Sequence, residues 1–182
     1  MRKKYKFTSE TKTLEGVTLH RIKALISFGN VSAGDIGGWI ERESNLSHDG
    51  DAWVSGNARV SGNARVSGDA EVFGNAWVSG DAWVSGDARV SGNARVFGNA
   101  RVSGDMNVDV PMICASRSDG YLFLVAPTPN GVRITAGCRG PWTFEEGRQH
   151  WTETRGSTRL GNESLAILDH LERMAKLAEW VL

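Results

Sequence analysis

The chain has 182 residues, 21 basic and 21 acidic side chains that leave a formal net charge of zero, and 22 glycines. Zero net charge provides no global field to recruit nucleic acid or an anionic membrane, which argues against both as partners. No stretch approaches the ~20 apolar residues that span a bilayer, and the basic start MRKKYKFTSETKT has no apolar run behind it, so neither an anchor nor a signal peptide is expected and the expected location is the cytoplasm.

Residues 1–28 hold two strand-like pieces, Lys4 to Thr8 and Val17 to Leu25, around a turn near Leu14-Glu15-Gly16. They are expected to cap the repeats of the middle of the chain, because the end of a stacked β structure exposes apolar side chains and unpaired edges. Residues 29–49 look like a degraded first coil. Gly38-Trp39-Ile40 anticipates the later Ala-Trp-Val phrases, and Leu46 has the character of an interior residue.

From Gly50 to Ser103 one six-residue phrase is written nine times without a slip: GDAWVS, GNARVS, GNARVS, GDAEVF, GNAWVS, GDAWVS, GDARVS, GNARVF, GNARVS. Ala and Val alternate with Trp, Arg or Glu, so each phrase predicts a short strand with Ala and Val facing in. Gly followed by Asn or Asp is turn chemistry. A turn every six residues excludes a helix, and strands this short bury nothing as a hairpin meander. The workable solution is a coil of three short strands and three corners, 18 residues long, stacked on the next coil at roughly 4.8 Å. Stacking then makes three outward columns: Trp53, Glu71, Arg89; Arg59, Trp77, Arg95; and Arg65, Trp83, Arg101. The corners stack Asp51, Asp69 and Asp87; Asn57, Asn75 and Asn93; and Asn63, Asp81 and Asn99. Asn columns suit amide ladders, whereas the all-Asp column must be solvated or balanced by a cation.

The hexads stop at Gly104-Asp105, and Met106-Asn107-Val108 is a candidate for one more degenerate rung. Beyond it, Val110 to Ala115, Tyr121 to Ala126 and Val132 to Ala136 predict a three-stranded antiparallel meander, with Asp119-Gly120 and Pro127-Thr128-Pro129-Asn130-Gly131 at the turns. Thr143 with Glu146 three places on is a capping box, opening a short helix to about Trp151. Leu165, Leu168, Leu171, Met174 or Ala175, and Ala178 predict a long helix over Asn162 to Val181. Such a module is marginal alone and is expected to dock on the coil end or on copies of itself. The domain reading is therefore 1–28 cap, 29–107 β-helix with regular hexads at 50–103, and 108–182 small β-β-β-α-α module.

An aliphatic residue followed four places later by a small one, Val54 to Ala58 and onward, resembles the hexapeptide repeat of left-handed parallel β-helices. The left hand is implied by that resemblance, not by the spacing. The run GDIGGWIERESNLSHDGDAWV with its GNARV-type hexads resembles bacterial and phage-borne hypothetical β-helix proteins, over about residues 4–105. The phrase RITAGCRGPWTFEEGRQHW resembles a small C-terminal module of phage and prophage proteins. The expected fold class is mainly β: a left-handed parallel β-helix of triangular 18-residue coils, an N-terminal cap and a small C-terminal α+β module.

Many hexapeptide β-helix proteins are acyltransferases and some are zinc carbonic anhydrases, and both chemistries use histidine on or beside the coils. Here His20, His48, His150 and His170 all lie outside the repeats. His48, just before them, suits a surface corner better than a catalytic base. No His/Cys spacing offers a zinc site, the Asp column is better explained as a solvated corner than as a metal site, and no catalytic constellation or cofactor motif is present. Cys114 and Cys138 are expected to be buried free thiols rather than a disulfide. His150-Trp151 with Arg148 are candidates to line a cleft, though Trp151 suits the small core better. Arg139, Arg155 and Arg159, in loops near glycines, are candidates for an anion.

The candidate binding residues are therefore Trp77, Trp83, Arg59, Arg95, Arg65, Arg101, Arg139 and Arg155. They point to a non-enzymatic binding protein, phage- or prophage-encoded by resemblance, that binds a host protein or sequesters a small host molecule, with a small anionic ligand as a further candidate partner and modulation of host defence as the furthest reach of that reading. A homo-oligomer, dimer or trimer, is expected. The alternative is a hexapeptide-type acyltransferase with its pocket between subunits.

Overall fold

A computed structural model describes residues 3–104, 106–109, 113–128, 130–137 and 139–180. Each hexad forms a short strand, as expected, though only two residues long rather than the four of Ala-x-Val-Ser. After β1 (Tyr5–Leu14), β2 (Val17–Ala24) and β3 (Ile36–Ile40) come the rungs β4 (Trp53–Val54), β5 (Arg59–Val60), β6 (Arg65–Val66), β7 (Glu71–Val72), β8 (Trp77–Val78), β9 (Trp83–Val84), β10 (Arg89–Val90), β11 (Arg95–Val96) and β12 (Arg101–Val102). Asn107–Val108 adds β13, the degenerate rung expected from the sequence.

The rungs stack in parallel with a register of 18, as in Trp53 on Glu71 and Arg59 on Trp77, and they form three walls. The first wall contains β3, β5, β8 and β11; the second β4, β7, β10 and β13; the third β6, β9 and β12. Along each wall the N–H groups of one coil donate to carbonyls 17 residues on. Asn57, Arg59 and Ser61, for example, reach Gly74, Ala76 and Val78 at 2.9–3.0 Å. None of the hexad valines or alanines is more than 2 % exposed, so the prism is solid.

Glycine is required at the corners. Gly80 sits at φ +70°, and a Cβ there would lie 2.9 Å from the backbone nitrogen of Gly98 in the next coil. Two coil backbones pass too closely at that point to admit a side chain.

The degraded coil is real and carries an insertion. Trp39 pairs with Arg59, and Leu46 with Val66, at a spacing of 20 rather than 18. Ile40 and Leu46 are six apart, so the two extra residues lie between Leu46 and Val54. Three side chains complete this irregular end, where carbonyls have no lower coil to accept from. Lys4 Nζ donates to the Gly50 and Ala52 carbonyls at 3.0 and 2.8 Å. Asn45 Nδ2 donates to those of Gly62 and Ala64 at 3.1 and 2.8 Å, and the Tyr5 hydroxyl to Glu43 and Leu46 at 2.9 and 3.0 Å. Burial lowers the Lys4 pKa to about 8, against the pull of Asp51, Asp49 and Asp69. Lys4 thus brings a positive charge near Asp51 and Asp69 at the start of the Asp column, whose carboxylates were expected to be solvated or balanced by a cation. Tyr5, Ile22 and Ala24 complete the cover, and β1 runs further than expected, pairing with β2 up to the Leu14–Val17 turn.

The other end is closed by the C-terminal module. Its sheet has four antiparallel strands, β14 (Ile113–Ser116), β15 (Leu122–Thr128), β16 (Gly131–Ala136) and β17 (Arg139–Trp142). The fourth corrects the three-strand reading, and β15 runs on through Pro127 and Thr128, which pair with Val132 and Gly131 rather than lying in the expected turn. Gly-x-Arg-Gly-Pro looks like a loop, but Arg139 and Trp142 pair with Ala136 and Ile134 across an irregular register. β15 is apolar on both faces for a reason: Leu122, Leu124 and Ala126 join the prism core, while Phe123 and Val125 join a second core under the helices. The module therefore docks on the coil end.

Helix α1 (Phe144–Arg155) opens with the expected capping box, in which Thr143 Oγ1 accepts from Glu146 N–H and Glu146 accepts from Thr143 N–H at 2.8 Å. Helix α2 (Arg159–Leu177) starts earlier than expected because Thr158 caps it. It buries Leu168, Leu171 and Ala175 and leaves Met174 outside. Cys114 is exposed on the outer face of β14, correcting the buried-thiol expectation, because its neighbours Ile113 and Ala115 take the inward positions of the period-two strand. Cys138 lies outside the described residues, as do Val110 and Val181 at expected element ends and Asp105 and Pro129 at expected turns.

Candidate functional site

The outward slots build two arginine–tryptophan ladders. On the first wall the Arg59 and Arg95 guanidinium groups lie 5.0 and 5.8 Å from the Trp77 ring. On the third wall Arg65 and Arg101 flank Trp83 in register, with Arg101 4.8 Å from its ring. Both indoles are oriented by serines: Trp77 Nε1 donates to Ser61 Oγ at 3.3 Å and Trp83 Nε1 to Ser67 Oγ at 2.9 Å. The Asn corner ladders also form, as in Asn57 to Asn75 and Asn63 to Asp81 at 3.4 and 3.0 Å.

The two ladders are not equivalent. The β1–β2 hairpin folds beside the first wall and sets Leu14, Val17 and Leu19 around a small cavity with Arg59 and Trp77. Lys12 and Arg21 there face the Trp39 ring at 4.1 and 5.0 Å. Burial, with Arg59 and Arg21 nearby, lowers the Lys12 pKa to about 8. On the third wall the N-terminal hairpin gives no such cover among the described residues, and Trp83 is 36 % exposed, with Arg139 and Gly140 of the C-terminal sheet to one side. The second wall differs again, because Arg89 is neutralised by Glu71 at 2.7 Å. Among the described residues, Arg59, Arg65, Arg95 and Arg101 have no acidic partner within ion-pair distance.

Arg139 and Arg155, far apart in sequence, come together in the C-terminal module. They line a cleft of about 400 Å³ with His150, Trp151 and Arg117. Arg117, which sequence reasoning missed, is the buried wall of this cleft. Its guanidinium lies 4.8 Å from the Tyr121 ring and 5.0 Å from that of Trp151, and it donates to Asp119 and, at 2.9 Å, to Ser164. That pairing holds the Asp119 carboxyl down at about 2. A lone arginine beside Asp119-Gly120 gives no sequence signal of burial, since the burial depends on a helix 47 residues away. His150 stacks near Trp142 at 4.5 Å, and burial and then Arg139 lower its pKa. Trp151 is 3 % exposed, and its indole N–H finds no acceptor among the described residues. Arg139 also borders a second, smaller cavity with Trp83 and Arg101, so it joins the cleft to the end of the third wall.

Two expected candidates fall away. Arg159 is held at the surface by Ser118 and Glu163 at 2.8 and 2.7 Å, and Arg148 is turned to Asp169 at 2.8 Å and to Glu172. His48 is not a free corner residue: its ring stacks on Tyr5 at 4.4 Å and Nδ1 accepts from Lys4 N–H. One groove was not foreseen. The loop before β3 returns over the second wall and borders about 590 Å³, with Asp35 of the loop and the stacked Trp53, Glu71 and Arg89 of the wall among its lining. The 18-residue register predicts the wall residues, but nothing local predicts where that loop lies.

Comparison with known families agrees with this geometry. The repeats match the YdcK beta solenoid repeat at residues 52–68, 58–72, 64–80 and 88–104. These matches keep to residues 52–104, and they support the β-solenoid and its period without reaching either end of the chain. None of the curated proteins matches the chain.

Proposed function

We propose that this chain is a non-enzymatic binding protein, a rigid three-walled rod that presents tryptophan and arginine to an acidic surface on a partner protein. One observation carries the reading: in a chain of zero net charge, the arginines of the third wall have no acidic partner among the described residues, while Trp83 between them is exposed. Tryptophan and arginine are the residues enriched at interface hot spots. Desolvated by a partner, a guanidinium group already held over an indole, as Arg101 is over Trp83, loses little side-chain freedom. Two copies of the same wall would set arginine against arginine, so an acidic partner fits better than a second copy. The resemblance to phage-borne proteins makes a host protein the first partner to seek. His48, packed into the cap, lends no support to the acyltransferase alternative.

The test is capture from the native host with the wild-type chain and an Arg65→Glu, Arg101→Glu double variant, both checked for folding. The expected result is one acidic partner retained by the wild type, released by salt, and lost from the double variant. Equal retention by both would sink the reading. A thermal shift with acetyl-CoA would turn it toward the acyltransferase.

A further inference from the structure

We infer that the cleft between β17 and α1 is a binding site for a small oxyanion, a phosphate or carboxylate group held by Arg139 and Arg155. This goes beyond the wall reading and stands on different residues. Three observations converge. First, the cleft is a defined cavity of about 400 Å³, large enough for a small organic anion. Second, its charge is uncompensated where it faces solvent. Arg117 spends its guanidinium on Asp119 and Ser164, but Arg139 and Arg155 have no side-chain hydrogen bond or ion pair among the described residues and are exposed. Third, Trp151, which lines the same cleft, keeps a buried indole N–H with no acceptor among the described residues. A buried donor without a partner costs about 1–3 kcal/mol, and native structures rarely leave one unexplained. Donors predominate here, so the missing group is an acceptor bearing negative charge. Arginine suits this role because its planar fork matches phosphate and carboxylate oxygens in pairs.

Arg117 has a supporting part. Stacked on Tyr121 and Trp151, it fixes the aromatic floor and leaves the two exposed arginines to close on the anion. Glu153 acts on His150 from the same side of α1, so the rim is not purely attractive to negative charge. A compact dianion therefore fits better than an extended polyanion.

The experiment is isothermal titration of the full chain at low ionic strength with inorganic phosphate and, separately, with succinate. Saturable one-to-one binding of either supports the site, and the tighter of the two assigns phosphate or carboxylate. Arg139→Ala and Arg155→Ala are each expected to weaken binding at least tenfold. Arg173→Ala, on an exposed face of α2 outside the cleft, should leave it unchanged. No saturable heat with either anion, an equal loss in Arg173→Ala, or full binding in both cleft variants would overturn the inference. The wall arginines are untouched in these variants, so failure here leaves the partner-protein reading standing, and the reverse also holds.

Discussion

The prism and the C-terminal module bury comparable kinds of side chains by opposite means. In the prism, a residue's place is its position within the hexad, and the same Ala and Val contacts recur in every coil. In the module, one strand decides everything. β15 sends Leu122 and Leu124 into the prism end and Phe123 and Val125 under the helices, so neighbouring residues belong to different cores. Repetition gives stability as a sum of nearly identical interfaces. The module instead depends on a single docking event, and on Arg117 bridging its turn to α2. This difference also separates the two candidate sites: the wall ladder comes from repetition, whereas the cleft arises only once β17, α1 and the Arg117 turn have packed together.

The sharpest way to test that division is on β15 itself. Phe123→Ala and Leu124→Ala should each cost about 3 kcal/mol or more in urea unfolding, as large-to-small changes in a filled core do. Their effects should point in opposite directions along the chain. In Leu124→Ala, amide exchange should rise first in the last coil, where Ser91 N–H bonds to the Val108 carbonyl. In Phe123→Ala it should rise first in α2. Uniform loss of protection in both variants would mean that prism and module unfold as one unit.

The N-terminal end gives a smaller effect with a pH signature. Lys4→Met leaves the Gly50 and Ala52 carbonyls without their donor and should cost about 2 kcal/mol at neutral pH. The folded Lys4 pKa is about 8 against an ordinary 10.5, so between those values the unfolded chain binds the extra proton and stability rises with pH. Wild type should therefore gain over Lys4→Met from pH 8 to 10.5, and parallel pH profiles would show that Lys4 is not held in this way. The least effect belongs to the ladders. Arg95→Ala should lower stability by no more than about 0.5–1 kcal/mol, the worth of an exposed cation–π pair. A much larger loss would mean that the ladders serve to hold the rod together rather than to present a surface.

Much of this was legible in the sequence because a six-residue period leaves few structures open. The outward columns, the Asn ladders, the extra rung at Asn107 and the capping box at Thr143 all come from local spacing. The two-residue insertion before Val54 was present in the sequence too, but it shows only when Leu46 and Val66 are seen to pair. Glycine-rich surroundings singled out Arg139, Arg155 and Arg159 alike, and nothing local could set Arg159 aside or pick out Arg117 without knowing which helix and carboxylate each faces.

Alone, the sequence determined the prism: a β-branched residue, a small residue and a glycine in fixed rotation admit one way to pair backbone groups and bury methyls, and each contact is made with a copy of the same phrase. Only the tertiary structure decided how the ends are closed, that Arg139 forms an edge strand, and that a buried arginine and an indole with no acceptor among the described residues line the same cleft as two exposed guanidinium groups. Those outcomes depend on contacts between unlike segments tens of residues apart, where shape and charge select the partner and no local period announces it.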